Sequence, residues 1–139
     1  MPFVPKKQAF NAKINEVTLG VGEKATKIGG QNVLPFYTFD AEIQNAPKIG
    51  VELTDLGMEE YTMPGEKEFY AGCQSVVDMA KRAETMPGAS FLCLHFEGAD
   101  PNGLNKSVEE CVELAKAVSD AVTMPCLLYT SPSPRDYAA

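Results

Sequence analysis

Residues 48–125 repeat one pattern, and that repetition constrains the fold more than any other feature of the chain. KIGVELTDL (48–56) reads as a strand, residues 57–65 as a loop containing Pro64, and residues 66–85 as one helix. Phe69, Cys73, Val76, Val77, Ala80 and Ala83 recur in that helix at a spacing that puts them on one face. Pro87-Gly88 stops it. SFLCLHF (90–96) is apolar almost throughout, as a parallel strand covered on both faces requires. After the loop GADPNGLNK, Ser107-Val108-Glu109-Glu110 has the spacing of a capping box. Val108, Cys111, Val112, Ala115, Val118 and Val122 then line one helical face. Met124-Pro125 ends that connection, and Cys126-Leu127-Leu128 begins another buried strand. Units of roughly 35 to 42 residues, strand then helix, predict α/β architecture with helices crossing over between parallel strands.

Two such units and the start of a third strand fall short of the roughly 250 residues that close an eight-stranded barrel. The expectation is therefore either a small open sheet, complete at this length, or the first part of a truncated (β/α)8 TIM-type barrel. In the second case the inward faces of Val51, Leu53, Leu92 and Leu94 should be partly without neighbours, and the chain alone should fold poorly. Ahead of the repeat, INEVTLGVGEKATKIGG (14–30) reads as a β-hairpin, with Val17, Leu19, Lys27 and Ile28 flanking a turn of glycine and charged residues. Gly20-Val21-Gly22-Glu23-Lys24-Ala25 imitates a dinucleotide fingerprint, but Gly29-Gly30 interrupts before any helix can follow. Phe36, Tyr37 and Phe39 read as an aromatic plug at one end of the core, with stacking on a flat ligand as the alternative. Residues 1–47 thus form the hairpin and plug segment, and residues 48–125 the repeated part.

Composition removes several partner classes. Nineteen acidic against 12 basic side chains give a formal charge of -7, and a field of that sign disfavours nucleic acid and anionic membrane surfaces. No run reaches the roughly 18 to 20 apolar residues that span a bilayer, and MPFVPKKQAF has no apolar core of signal-peptide length, so a cytoplasmic location is expected. Cys73, Cys93, Cys111 and Cys126 are 20, 18 and 15 residues apart, with no CxxC pair and only His95 to join them. That spacing predicts buried thiols and no metal ligand set.

From residue 126 the sequence is CLLYTSPSPRDYAA. CLLYTSPSPRD resembles a translated sequencing-adapter read-through, so residues 126–139 are expected to be a non-native tail; a natural disordered tail is the alternative.

Three segments carry a family resemblance: IGGQNVLPFYTFDAEIQNAPKIGVELTDL (28–56), EKEFYAGCQSVVDMAKRA (66–83) and HFEGADPNGLNKSVEECVELAKAV (95–118). Together they resemble the small subunit of the corrinoid iron-sulfur protein, the delta subunit of the acetyl-CoA decarbonylase/synthase complex. The resemblance covers about the first two fifths of a family member. It implies a (β/α)8 barrel that pairs with a large subunit carrying an iron-sulfur cluster and a cobalamin (corrinoid) domain. It further implies that the heterodimer takes a methyl group from methyltetrahydrofolate through a separate methyltransferase and delivers it to acetyl-CoA synthase, both transient partners. The cofactor is then shared with the large subunit, and this fragment alone is expected to bind none. A rival from another class is a free-standing barrel methyltransferase that binds methyltetrahydrofolate itself.

In a parallel α/β barrel, functional groups gather at the C-terminal ends of the strands. The first strand offers Glu52 at its middle with Thr54 and Asp55 at its end; the second offers His95, Glu97, Asp100 and Asn102. Glu97, Asp100 and Asn102 are the candidates for contact with the cofactor or the partner, although Asp-Pro-Asn-Gly is also a turn signal in its own right. Glu52 and Glu97 belong to adjacent strands, approach the same end and could form an acid-base pair. A family that moves its methyl group on a cofactor asks mainly for positioning, so no catalytic residue is assigned. His95 could face the barrel centre or the helix layer, and a satisfied core histidine is expected in preference to a cobalt ligand.

Overall fold

A computed structural model describes residues 2–4, 13–32 and 43–130. Two sheets are present among them. Strands β1 (Glu16–Leu19) and β2 (Thr26–Gly29) pair antiparallel, Val17 opposite Ile28 and Leu19 opposite Thr26, with a short 3-10 turn at Gly22–Lys24 between them. This is the predicted hairpin. Phe36, Tyr37 and Phe39 lie outside the described residues.

The second sheet contains β3 (Ile49–Thr54), β4 (Ala89–His95) and β5 (Cys126–Tyr129), in that order and all parallel. The four residues of β5 belong to the segment that resembles adapter sequence, and they occupy the position of the third strand. Between β3 and β4 run α1 (Pro64–Phe69) and α2 (Val76–Glu84); between β4 and β5 runs α3 (Val108–Ala121). This is a mixed α/β arrangement, with the order strand, helix, strand, helix, strand that the repeat predicts. No described helix is long and apolar enough to cross a membrane.

The single helix expected over residues 66–85 is two helices. Gly72 adopts φ +87, a left-handed conformation that ends the first helix where most side chains would be strained. Ser75 then caps the second: its hydroxyl accepts the Asp78 amide at 3.1 Å, and the Asp78 carboxylate accepts the Ser75 hydroxyl at 2.8 Å. Periodicity alone ran across this break because the apolar residues keep their spacing on both sides. It also passed over Met79, which is fully buried and, with Ala80 and Ala83, forms the inner face of α2. In α3 the capping box is present as read, with the Glu110 amide donating to the Ser107 hydroxyl and the Ser107 amide to the Glu110 carboxylate.

The core lies between the sheet and the helices. Val51, Leu53, Leu92 and Leu94 pack there against Met79, Ala80, Ala83, Val118 and Val122. This corrects the expectation that those four strand residues face inward and lack neighbours: all are buried, against α2 and α3. Alternation along a strand sends the next residues to the opposite face. Gly50 and Phe91, Glu52 and Cys93, and His95 and Tyr129 are aligned in register on that face. Apolar surface is open elsewhere. Val108, Val112 and Leu128 are exposed, beside a groove of about 740 Å³ between α3 and β5.

The hairpin meets the N-terminal end of the sheet. Gly20 packs against Pro125, the residue before β5, and the Lys24 ammonium donates to the Ser119 carbonyl near the end of α3 at 2.6 Å. These contacts place the hairpin at the end opposite the C-terminal ends of the strands.

Candidate functional site at the strand ends

Because the three strands run parallel, Thr54, His95 and Tyr129 finish at the same end of the sheet. Two loops rise from it, residues 55–63 after β3 and residues 96–107 after β4. A buried ion pair fastens them together. The Asp55 side chain is fully buried and its carboxylate accepts the Gly98 amide at 2.9 Å and the Lys106 ammonium at 2.9 Å; the same ammonium reaches the Asp55 carbonyl at 3.1 Å. A Cβ on residue 98 would lie 2.7 Å from the Asp55 carboxylate, so only glycine lets the loop approach this closely. Asp55 stands out in the sequence as a strand-end carboxylate, whereas Lys106 does not stand out at all. Nothing in a lone lysine after a turn marks it as the partner of a carboxylate 51 residues earlier.

Within this frame the 97–102 loop closes on itself. The Asp100 carboxylate accepts the Asn102 amide at 2.8 Å, and the Asp100 carbonyl accepts the Gly103 and Asn105 amides at 2.9 and 3.1 Å. Asp100 is thus half-buried and committed to the turn by one carboxylate oxygen, while the Asn102 side chain is exposed. Asp-Pro-Asn-Gly performs the local turn function its composition announces. The Glu97 carbonyl accepts the Asp100 amide at 3.1 Å, while its carboxylate takes no part in that network.

Glu97 instead points to a cluster. The His95 Nδ1 atom lies 3.3 Å from a Glu97 carboxylate oxygen and 3.6 Å from a Glu52 carboxylate oxygen. The imidazole stacks on the Tyr129 ring with centroids 4.3 Å apart. Both ring nitrogens are buried, and neither has a hydrogen-bond partner within ideal geometry. The expected satisfied core histidine is therefore corrected. His95 projects to the sheet face away from the helices, where its neighbours are carboxylates. Glu52 and Glu97 do come together as their strand positions implied, with the imidazole between them.

Two clefts flank the cluster. One of about 280 Å³ lies under the loop, lined by His95, Glu97, Asp100 and Leu104. The other, about 350 Å³, is lined by Glu52, Glu60, Tyr61, Glu66 and Glu97. Burial pushes the Tyr61 phenol above its ordinary range, and the carboxylates of Glu66, Glu52 and Glu97 add to the effect. Cys93 is raised the same way, by burial first and then by Glu52. Both groups stay protonated at neutral pH, as hydrogen-bond donors rather than nucleophiles. The four cysteines remain free thiols.

Residues 16–137 match the family described as CO dehydrogenase/acetyl-CoA synthase delta subunit. Among similar curated proteins is the acetyl-CoA decarbonylase/synthase complex subunit delta of Methanothermobacter thermautotrophicus, 27% identical over 133 residues that cover 95% of this chain and 34% of that protein. The subunit of the same name from Archaeoglobus fulgidus is 27% identical over 134 residues, covering 91% of this chain and 29% of that protein. The chain spans about a third of the length of these curated relatives.

Proposed function

The chain belongs to the CO dehydrogenase/acetyl-CoA synthase delta subunit family, and on that premise we propose that it is part of a scaffolding subunit whose strand-end face meets a corrinoid-bearing partner. The match across residues 16–137 carries this reading. In it, β3 to β5 with their helices are the opening units of a (β/α)8 barrel. The partner is the large corrinoid iron-sulfur subunit, and the pair works in the cytoplasm, moving a methyl group from methyltetrahydrofolate toward acetyl-CoA synthase. The methyltransferase and acetyl-CoA synthase bind it transiently.

The residues at the strand ends suit the edge of such a cofactor. A corrin ring carries carboxamide side chains around its rim, and Glu52, Glu97 and Asp100 offer acceptors at the matching end of the sheet. When bound, the corrinoid supplies the metal centre that holds the methyl group. This chain's contribution is to orient: Glu97 and Asn102 face the partner, and Asp100 holds the turn that presents them. The chain's single imidazole is positioned beneath the loop against two carboxylates.

The test uses the full-length subunit and its large partner. Replacing Asp100 and Asn102 together by alanine should weaken assembly or slow methyl transfer by an amount equivalent to roughly 1 to 3 kcal/mol. Glu97→Gln, which leaves the turn intact, should weaken assembly without lowering the melting temperature. Normal assembly in both variants, with earlier melting of the double variant, would show that the loop is a structural turn and nothing more.

A further inference from the structure

Among the asparagines of the chain, at positions 11, 15, 32, 45, 102 and 105, only Asn102 is followed by glycine. That pair lies in the loop after β4, where Pro101, Asn102, Gly103 and Leu104 are all exposed. Asparagine is a thermolabile residue, because its carboxamide carbon can be attacked by the backbone nitrogen of the residue that follows. A side chain on that residue obstructs the approach, and glycine has none. The turn does not itself require glycine here. Gly103 lies outside the left-handed region, and a Cβ on it would stand 3.6 Å from the Asp100 carbonyl oxygen, an ordinary contact. Two bonds restrain the pair. The Gly103 amide, whose nitrogen is the nucleophile, donates to the Asp100 carbonyl at 2.9 Å, and the Asn102 amide donates to the Asp100 carboxylate at 2.8 Å. Both lie in an exposed turn, which can open without unfolding β4 or α3.

From this arrangement we infer that Asn102 is a site of spontaneous deamidation, gated by the Asp100 turn. When the turn opens, the Gly103 nitrogen gives its proton to hydroxide and bonds to the Asn102 carboxamide carbon. The carboxamide C–N bond breaks, ammonia leaves with a proton taken from water, and a five-membered succinimide remains. Water then adds to either ring carbonyl and breaks its bond to the Gly103 nitrogen, which recovers a proton. The products are aspartate or its β-linked isomer, isoaspartate; water is consumed, ammonia is released, and nothing is oxidised or reduced. Either product puts a new negative charge beside Asp100. Isoaspartate also lengthens the main chain, which takes the Gly103 amide out of register with the Asp100 carbonyl. The change falls at the cleft of about 280 Å³ that Glu97, Asp100 and Gly103 help to line. Asn105 is the internal comparison. It is exposed in the same loop, but Lys106 follows it, with its amide held by the Gly98 carbonyl at 2.8 Å and its side chain tied to Asp55. The chemistry depends on this loop alone, whichever partner meets the strand ends.

The test incubates the 139-residue chain at mildly alkaline pH beside the unstructured peptide acetyl-Asp-Pro-Asn-Gly-Leu-amide. Peptide mapping by mass locates the conversion of amide to acid, and enzymatic methylation counts isoaspartate. Residue 102 should convert to both products while Asn105 stays intact, and more slowly than in the peptide, because the turn must first open. Asp100→Ala removes the bond from its carboxylate to the Asn102 amide and should speed conversion roughly two- to tenfold, the share of one exposed hydrogen bond in holding the turn shut. Gly103→Ala fits the same turn and should slow conversion at least several-fold, with the far-UV circular dichroism of the parent. It keeps the test decisive should Asp100→Ala misfold. An intact Asn102 when the peptide is fully converted would overturn the inference. So would equal conversion at Asn105, an unchanged rate in folded Asp100→Ala, or a Gly103→Ala chain that reacts as fast as the parent.

Discussion

Replacing Lys106 by methionine removes the charge that neutralises Asp55 and keeps most of the aliphatic stem. The Asp55 side chain is fully buried and Lys106 is 29% exposed, so the variant strands a carboxylate whose remaining side-chain bond is the Gly98 amide at 2.9 Å. Removing one partner of a fully buried ion pair costs about 3 to 5 kcal/mol. Water can reach the open edge left by the ammonium, which reduces the expected loss to about 2 kcal/mol. Urea unfolding followed by circular dichroism reads that loss, and amide exchange locates it. The Gly98 and Lys106 amides should lose protection before those of β4, because they close the loop rather than the core. In combination with Asp55→Asn the second substitution should cost at least about 1 kcal/mol less than it does alone, since each removes the same interaction. A loss below about 0.5 kcal/mol for Lys106→Met, or strict additivity in the double variant, would refute the claim that this pair fixes the loop.

Ser75→Ala should destabilise the chain by about 1 kcal/mol in urea unfolding, because the hydroxyl caps α2 just after the break at Gly72. The Glu84 carboxyl is pulled two ways: burial raises it, but donation from the Thr123 hydroxyl and amide and from the Met124 amide outweighs that and holds it below the ordinary 4.5. A carboxyl lowered by folding stabilises the folded state above its unfolded value and loses that effect as pH falls through the folded one. Stability should thus decline below about pH 4.5, and less steeply in Glu84→Gln. Val112→Lys and Leu128→Lys, at the open groove between α3 and β5, should reduce binding of a hydrophobic dye and slow aggregation without lowering the unfolding midpoint.

Much of this architecture was legible in the sequence. The hairpin, the three parallel strands and the capping box of α3 all follow from local signals: period-two alternation, turn residues and the Ser-x-x-Glu spacing. The break before Ser75 was legible too, in Gly72 and in a serine three residues ahead of Asp78, but continuous helical spacing masked it. Sidedness was harder to read. SFLCLHF is apolar on both faces, so nothing local says whether Leu92 and Leu94 or Cys93 and His95 meet the helices. The site was half legible: adjacent strand ends implied that Glu52 and Glu97 approach each other. The imidazole between them and the Asp55–Lys106 tie depend on contacts across 43 and 51 residues, which no local pattern records.

Hydrogen-deuterium exchange of the full-length subunit, with and without its corrinoid-bearing partner, tests the central claim most directly. The account predicts that the partner slows exchange in residues 52–62 and 95–106 and leaves the hairpin of residues 14–30, at the other end of the sheet, unchanged. Protection confined to the hairpin end, with the strand-end loops exchanging as in the free subunit, would contradict it.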